Sequence, residues 1–153
     1  RLRLLKQFGS IISPWNVGRY HDAASAKRHF ARHWPADLEF CAKEQKDYYA
    51  VAFPGFSWHN LQKGASPINQ IPRRKGEFFW SQIEQIRAYG MNKAYIAMFD
   101  EVDEGTAIFK CTNNPPVGTF CDYEGLPTDY YLRATGQAGR YLRGEQLGLP
   151  KVE

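Results

Sequence analysis

The stretch AYIAMFDEVDEGTAIFK, Ala94 to Lys110, begins as an apolar run and then sets four carboxylates, Asp100, Glu101, Asp103 and Glu104, within five residues. The apolar part suits a strand buried on both faces. Like charges grouped at a strand's end repel one another, so their placement asks for a reason. Three readings compete. One is a solvated acidic turn. Another is a site for a hard cation, although the D-x-[DN]-x-[DN]-G loop is absent and a single acidic cluster rarely completes a coordination shell. The third is a pair of catalytic carboxylates, one raised in pKa by burial and by its neighbour's charge so that it acts as an acid at neutral pH. Direct continuation from a buried strand and the tight exit through Gly105 and Thr106 favour the third.

Working outward, the same alternation of apolar run and helical pattern occurs twice more upstream. GSIISPW (Gly9 to Trp15) precedes a helical stretch from about Asp22, its N-cap, with Ala23, Ala26, Phe30 and Ala31 apolar. Pro35 is expected to interrupt it, and a second helix with Leu38, Phe40, Cys41 and Ala42 is expected to follow. DYYAVAFPGF (Asp47 to Phe56) ends at Pro54-Gly55, and a loop from Ser57 to Lys75 leads into GEFFWSQIEQIRAYG. There Phe79, Ile83, Ile86 and Tyr89 recur at helical spacing, with Gly90 as the stop. After the acidic stretch, a Pro- and Gly-rich loop (Cys111 to Pro127) reaches a last helix, DYYLRATGQAGRYLRG, with Thr128 as its cap.

Buried strands alternating with helices imply parallel βαβ units in one α/β domain. An open doubly wound sheet and part of a (β/α)₈ barrel both fit; a whole barrel needs ~250 residues, so 153 supply three or four of its eight units. No G-x-G-x-x-G or G-x-x-x-x-G-K-[ST] loop follows any strand. The chemically equipped residues stand just after the strands' C-terminal ends, where a barrel keeps its site: Trp15-Asn16, Phe56-Ser57-Trp58-His59-Asn60, and Asp100 to Thr106. Trp58 either stacks on a sugar ring or packs in the core, the expected role of Phe79 and Trp80. His59 is the histidine in such a loop; His21, His29 and His33 lie in or beside the first helical stretch and read as structural.

Composition narrows the classes. With 43% hydrophobic and 15% aromatic residues the chain has the means to bury a core, which argues against disorder. The net charge of +4 is scattered apart from Arg1 to Lys6, Lys27-Arg28 and Arg73-Arg74-Lys75, so nucleic acid is not expected as a partner. The Arg73-Arg74-Lys75 run reads as a solvated loop face, with contact to an anionic glycan as the alternative. Cys41, Cys111 and Cys121 form no C-x-x-C pair, which argues against zinc and against a dense disulfide framework; Cys111 and Cys121 either bridge a loop or are buried thiols. No apolar run approaches the ~18 residues of a membrane span. The beginning, RLRLLKQFGS, without Met and inside a basic amphipathic helix, reads as that of a trimmed or partial chain.

MFDEVDEGTAIFK resembles the N-E-W-H-E-G-T-Q-I-E segment of glycoside hydrolase family 99, the endo-α-1,2-mannosidases, and of the broader family 71/99-like group. AFPGFSWHN is similar to that family's G-P-G-Y strand end. NQIPRRKGEFFWSQI is similar to its N-x-R-x-R-x-x-G-x-Y-Y stretch, and CDYEGLPTDYYLRATGQAGRYLRG to its Y-L-D-Y…Y-L terminal segment. The matches run in order over most of residues 47 to 144.

The resemblance implies that residues 1–153 are a single partial catalytic domain, the C-terminal portion of a (β/α)₈ TIM barrel, completed by a missing N-terminal barrel segment. It implies an α-linked, mannose-like oligosaccharide or polysaccharide as substrate, cleaved with retention and without cofactor or metal. By the family's chemistry Glu101 is the base that deprotonates the sugar's own 2-hydroxyl, which displaces the leaving group through a 1,2-anhydro sugar, and Glu104 is the general acid and then base. Substrate assistance suits the spacing: two carboxylates three residues apart on one segment are poorly placed to flank a glycosidic bond from opposite sides. Trp58, His59, Asn60 and Asp103 are the expected substrate contacts, with Asp100 and Thr106 orienting their neighbours. Val102-Asp103 replaces the family's Trp-His, removing an aromatic surface and adding a charge that either raises Glu104 or holds a substrate hydroxyl. A family 71-like α-1,3-glucanase and a non-catalytic carbohydrate-binding relative are the alternatives. Relatives of this kind imply a secreted or periplasmic location.

Overall fold

The structure, a computed structural model, describes residues 2–115 and 117–152. Arg1, in the basic N-terminal segment, and Pro116, in the Pro-rich loop, lie outside the described residues. A short helix α1 (Leu2–Phe8) precedes three strand-then-helix units. These are β1 (Ile11–Ile12) with α2 (Ala23–Lys43), β2 (Asp47–Tyr48) and β3 (Ala50–Ala52) with α3 (Glu77–Ala88), and β4 (Ala94–Ile96) with α4 (Tyr130–Leu142).

Both ladders are parallel: Ile11 and Ile12 face Asp47 and Tyr48, and Ala50, Val51 and Ala52 face Ala94, Tyr95 and Ile96. The segment 47–52 is the middle strand of the three. Asp47 and Tyr49 donate their N–H groups to Ser10 and Ile12 on one side, while Ala52 O accepts from Ala97 on the other. The apolar run thus continues across Tyr49, where the regular strand is interrupted.

The helices cover one face. Phe30 stacks on Trp34 at 3.8 Å between ring centroids, and Tyr20 packs against Phe30, Phe53 and Phe78. Ala94 and Ile96 share a hollow with Ile83, Ala138 and Leu142, so β4 turns its alternate residue, Tyr95, to the opposite face. That opposite face is open: Ile11, Trp15, Tyr95 and Phe99 are each between 42% and 58% exposed. Trp15 and Tyr95 meet edge-on across the middle strand at 6.2 Å.

Two helix boundaries depart from expectation. Pro35 does not interrupt α2, which runs unbroken from Ala23 to Lys43. A proline removes one backbone hydrogen bond, but Ala26, Phe30, Trp34 and Cys41 form one buried stripe across it, and holding that stripe to the core outweighs the missing bond. Ala23, Ala31 and Ala42, read as part of the apolar face, are exposed instead. Nor is Thr128 the cap of α4: Asp129 holds that position, its side chain leaves the helix N–H groups uncapped, and it pairs with Arg133 at 3.3 Å.

Asp22 does cap α2. Its carboxylate accepts from the Ser25 N–H at 2.7 Å, while the Ser25 hydroxyl oxygen accepts from the Asp22 N–H at 3.1 Å. These bonds to Ser25 hold the Asp22 carboxyl below its usual pKa. The Asp22→Ala variant is therefore expected to melt at lower temperature than the wild type at pH 7. A group depressed on folding stabilises above its unfolded pKa and loses that contribution as the pH falls through its folded value. Thermal melts at pH 7 and near pH 2 should show the gap between the two proteins closing in acid.

Candidate active site

β4 delivers the acidic segment, and the backbone then closes it into a compact loop. Met98 N donates to Thr106 O at 3.2 Å, and Phe99 O accepts from Ile108 and Phe109 N. Glu101 O collects three donors: Thr106 N at 3.1 Å, Ala107 N at 2.8 Å and the Thr106 hydroxyl at 3.3 Å. Gly105 turns the chain at φ +66°, and a β-carbon there would come within 2.9 Å of Cys121 Sγ, so both conformation and space demand glycine. Thr106 is fully buried, so its expected supporting role rests on a bond to the Glu101 backbone.

The four carboxylates are not equivalent. Asp100 and Asp103 are exposed, whereas Glu101 and Glu104 are half-buried. Burial, then the charge of Glu101, then that of Asp103, pushes the Glu104 carboxyl above its usual pKa. One member of the pair is therefore biased towards its protonated form by its neighbours. Glu101 Oε1 accepts from the Asp103 N–H at 3.0 Å, which turns this carboxylate back over the loop. Among the described residues Asp100 takes part in none of the hydrogen bonds that hold the loop.

The second strand end meets this loop directly. Ser57 N donates to Glu104 O at 2.7 Å. Asn60 Nδ2 reaches Asp103 O at 3.4 Å and Thr119 O at 2.9 Å, so Asn60 ties the acidic loop to the long loop before α4. Trp58 lies half-buried, edge-on to Phe56 at 4.5 Å. His59 donates from Nδ1 to Ser66 O at 2.6 Å, since a carbonyl can only accept, so Nε2 is the ring nitrogen outside that bond. Trp15 and Asn16, from the first strand end, are farther round: Asn16 is buried and its Oδ1 lies 3.3 Å from His29 Nε2.

Sequence reasoning misplaced one residue and overlooked others. Arg73, read as part of a solvated loop face, is 2% exposed. Its Nη2 donates to Gly105 O at 2.9 Å and Ala107 O at 2.7 Å, and its guanidinium lies over the rings of Tyr123 (4.8 Å) and Tyr131 (4.4 Å). Arg74 and Lys75 are exposed, but their N–H groups donate to the Glu124 carboxylate. Tyr123, which the sequence did not single out, also braces the acidic loop, as does Ser57 from its strand end. Nothing in the sequence set Arg73 apart; in the structure it stands two residues after the buried Ile71, which pairs with Phe56 in an antiparallel bridge.

A cavity of about 140 Å³ lies beside the loop, walled by Val102, Cys111, Phe120, Cys121 and Tyr123. Ligand sites that enclose a small molecule run to roughly 300–1,000 Å³, so this hollow does not by itself hold a glycan. Cys41, Cys111 and Cys121 are free thiols. Among the described residues no group of three or more His, Cys, Asp or Glu side chains could hold a metal ion, and no helix is long and apolar enough to cross a membrane.

Among solved structures, the chain is similar to the glycoside hydrolase family 99 endo-α-mannosidase from Bacteroides thetaiotaomicron, with a TM-score of 0.61 and 20% identity over 73% of this chain. The same bacterium's enzyme in complex with bis-tris-propane gives a TM-score of 0.58 at 21% identity, again over 73% of this chain. The chain spans 33% and 35% of those two structures, about a third of each. At this identity the likeness is one of fold. No family model and no curated protein matches the sequence.

Proposed function

We propose that the chain is the C-terminal part of a (β/α)₈-barrel glycosidase that cleaves an α-linked, mannose-like glycan with retention. The observation that carries this reading is the pairing of Glu101 and Glu104 on one loop at the C-terminal end of a parallel strand, with Glu104 raised in pKa by burial and by its acidic neighbours. Similarity of fold to an endo-α-mannosidase supports it. In the proposed reaction Glu101, ionised, accepts the proton of the sugar's 2-hydroxyl. The freed oxygen attacks the anomeric carbon of the same sugar, and Glu104 protonates the departing glycosidic oxygen. Water, deprotonated by Glu104, then opens the 1,2-anhydro sugar at the anomeric carbon, breaking its bond to the 2-oxygen, which takes back a proton from Glu101. Two inversions give net retention, and no cofactor or metal takes part.

The open face bearing Ile11, Trp15, Tyr95 and Phe99 is where the remaining strands of the barrel would lie, and they would supply the other wall of the cleft. Trp58, His59 Nε2, Asn60 and Asp103 would meet the glycan from this side, and Asp103, where the mannosidase segment has His, would accept a hydrogen bond from a sugar hydroxyl. A secreted or periplasmic location belongs to the same proposal.

The test is hydrolysis by the full-length protein of α-mannan and α-1,3-glucan side by side, with the first-formed anomer followed by proton NMR. The α-anomer appearing first from α-mannan is the expected result; inversion would sink the reading. Preference for α-1,3-glucan would move the protein to the family 71-like alternative. Calorimetric binding of either glycan without released reducing ends would make it a carbohydrate-binding protein.

A further inference from the structure

We propose that Arg73 is the positioning residue of the acid-bearing loop, setting the place of Glu104 through the two carbonyls that flank Thr106. The inference rests on the reading of Glu101 and Glu104 as the catalytic pair. A guanidinium is expensive to bury, and a buried one ordinarily faces a carboxylate. Among the described residues Arg73 forms no ion pair. Instead Nη2 divides its two N–H groups between Gly105 O and Ala107 O, and its flat face is held by Tyr123 and Tyr131. Nε and Nη1 are buried without a hydrogen-bond partner. Among the described residues Arg73 is the one buried cation, and it lies beneath this loop incompletely satisfied.

The surroundings are shaped to it. A β-carbon at Gly55 would lie 2.8 Å from Arg73 Cγ, so the Pro54-Gly55 strand end leaves room for the arginine stem. The single proton of the Tyr123 hydroxyl points between Phe109 O at 2.5 Å, the shorter contact, and Ala107 O at 3.2 Å, bracing the same stretch from the ring that covers the guanidinium. Glu104 O is pinned by Ser57 N one residue before Gly105. Arg73 and Ser57 thus grip consecutive residues of the backbone from which the Glu104 side chain projects. An acidic partner for Arg73 would have brought a fifth carboxylate close to a loop already crowded with four; carbonyl oxygens and ring faces hold the cation without one.

Arg73→Met removes the donors while keeping an apolar stem of similar reach, and Arg73→Lys keeps the charge but not the flat, paired donors. In the full-length protein, Arg73→Met is expected to lower kcat by ~10²-fold with little change in KM, as for a misplacement of about 1 Å. The alkaline limb of its kcat/KM profile should move to lower pH, because a loosened loop lets water reach the Glu104 carboxyl. Arg73→Lys should recover part of both. Carboxyl-carbon NMR titration of Glu104 in the same proteins gives the same readout without substrate: its midpoint should fall in Arg73→Met. If the wild type turns over no α-glycan, the catalytic reading fails while the titration still decides the role of Arg73. An unmoved Glu104 midpoint in a folded Arg73→Met protein overturns the proposal. Failure of both variants to fold would do so too, by assigning Arg73 to the core alone.

Discussion

If Glu104 is the general acid proposed above, replacing it by Gln in the full-length protein is expected to reduce turnover of unactivated glycans by ~10²–10⁴-fold, the usual contribution of such a group. The loss should shrink sharply on a substrate whose leaving group departs without protonation, such as a glycosyl fluoride, because the first step then has no need of Glu104. Glu101→Gln should behave differently. If Glu101 takes the proton of the sugar's 2-hydroxyl, no leaving group compensates for it, and both substrate types should fail alike. Kinetics of the two variants on both substrates therefore separate the roles, and wild-type turnover of unactivated glycan by Glu104→Gln would remove the assignment.

The same residue predicts a pH profile and a stability effect of known sign. In the proposed reaction Glu104 must be protonated to act first, so the alkaline limb of kcat/KM should report its pKa, displaced upward from the ordinary carboxyl range by burial, Glu101 and Asp103. Asp103→Asn removes one of those charges and should draw the limb back down. A carboxyl raised on folding stabilises fully below its unfolded pKa, and that contribution is lost as the pH rises through the folded value. Glu104→Gln, which cannot ionise, should thus melt no lower than the wild type at pH 7. Lost activity beside undiminished stability would place the effect in the chemistry rather than the fold.

How much of this was legible depended on whether a residue's role followed from its neighbours in sequence. The helical spacing of Phe79, Ile83 and Ile86 and the stop at Gly90 reported α3 faithfully, because one face of a helix is a local pattern. The three strand positions were legible for the same reason, although Tyr49 breaks the middle one where its two neighbours change over. The acidic loop announced itself by charge. Arg73 did not, since nothing local distinguishes a buried arginine from Arg74 beside it: its partners are carbonyls more than thirty residues away. Asn60 was singled out for substrate yet ties the two loops together, and His59 spends one nitrogen on its own loop. Pro35 is the converse case, a strong local breaker overruled by a stripe of buried side chains that only the folded chain assembles.

Gln82 is the least legible of these residues and should carry the largest stability effect. It is fully buried on α3 among Phe78, Phe79, Ile83 and Ile86, in a helix whose pattern asks for another apolar side chain there. Its Nε2 donates to Phe53 O at 2.8 Å and to Phe78 O at 3.0 Å, and its Oε1 accepts from Phe53 N at 3.1 Å and the Tyr20 hydroxyl at 3.1 Å. The amide therefore satisfies both backbone groups of Phe53 just past the end of β3, where no neighbouring strand does so. Burial pushes the Tyr20 hydroxyl far above its usual pKa, so it stays protonated and needs this acceptor. Gln82→Leu, close in size and better suited to the helix, would leave the Phe53 N–H, the Phe53 carbonyl and the Tyr20 hydroxyl unpaired in the core. At ~1–3 kcal/mol for each stranded group, set against the gain from an apolar side chain, the net loss should be about 3–5 kcal/mol. That is a large part of the total stability of most domains, and denaturant unfolding would measure it. Gln82→Glu supplies a control with a sign. Its carboxyl, raised by burial, can still donate to Phe53 O while protonated, so this variant should be nearest the wild type in acid and should lose stability as the pH rises through the folded pKa. A Gln82→Leu protein within 1 kcal/mol of the wild type would mean that the strand end relaxes to find other partners. In that case Phe53 would not be a fixed point, and the chain from Phe53 to the Ser57 N–H that holds Glu104 would have to be anchored by Arg73 and Ile71 instead.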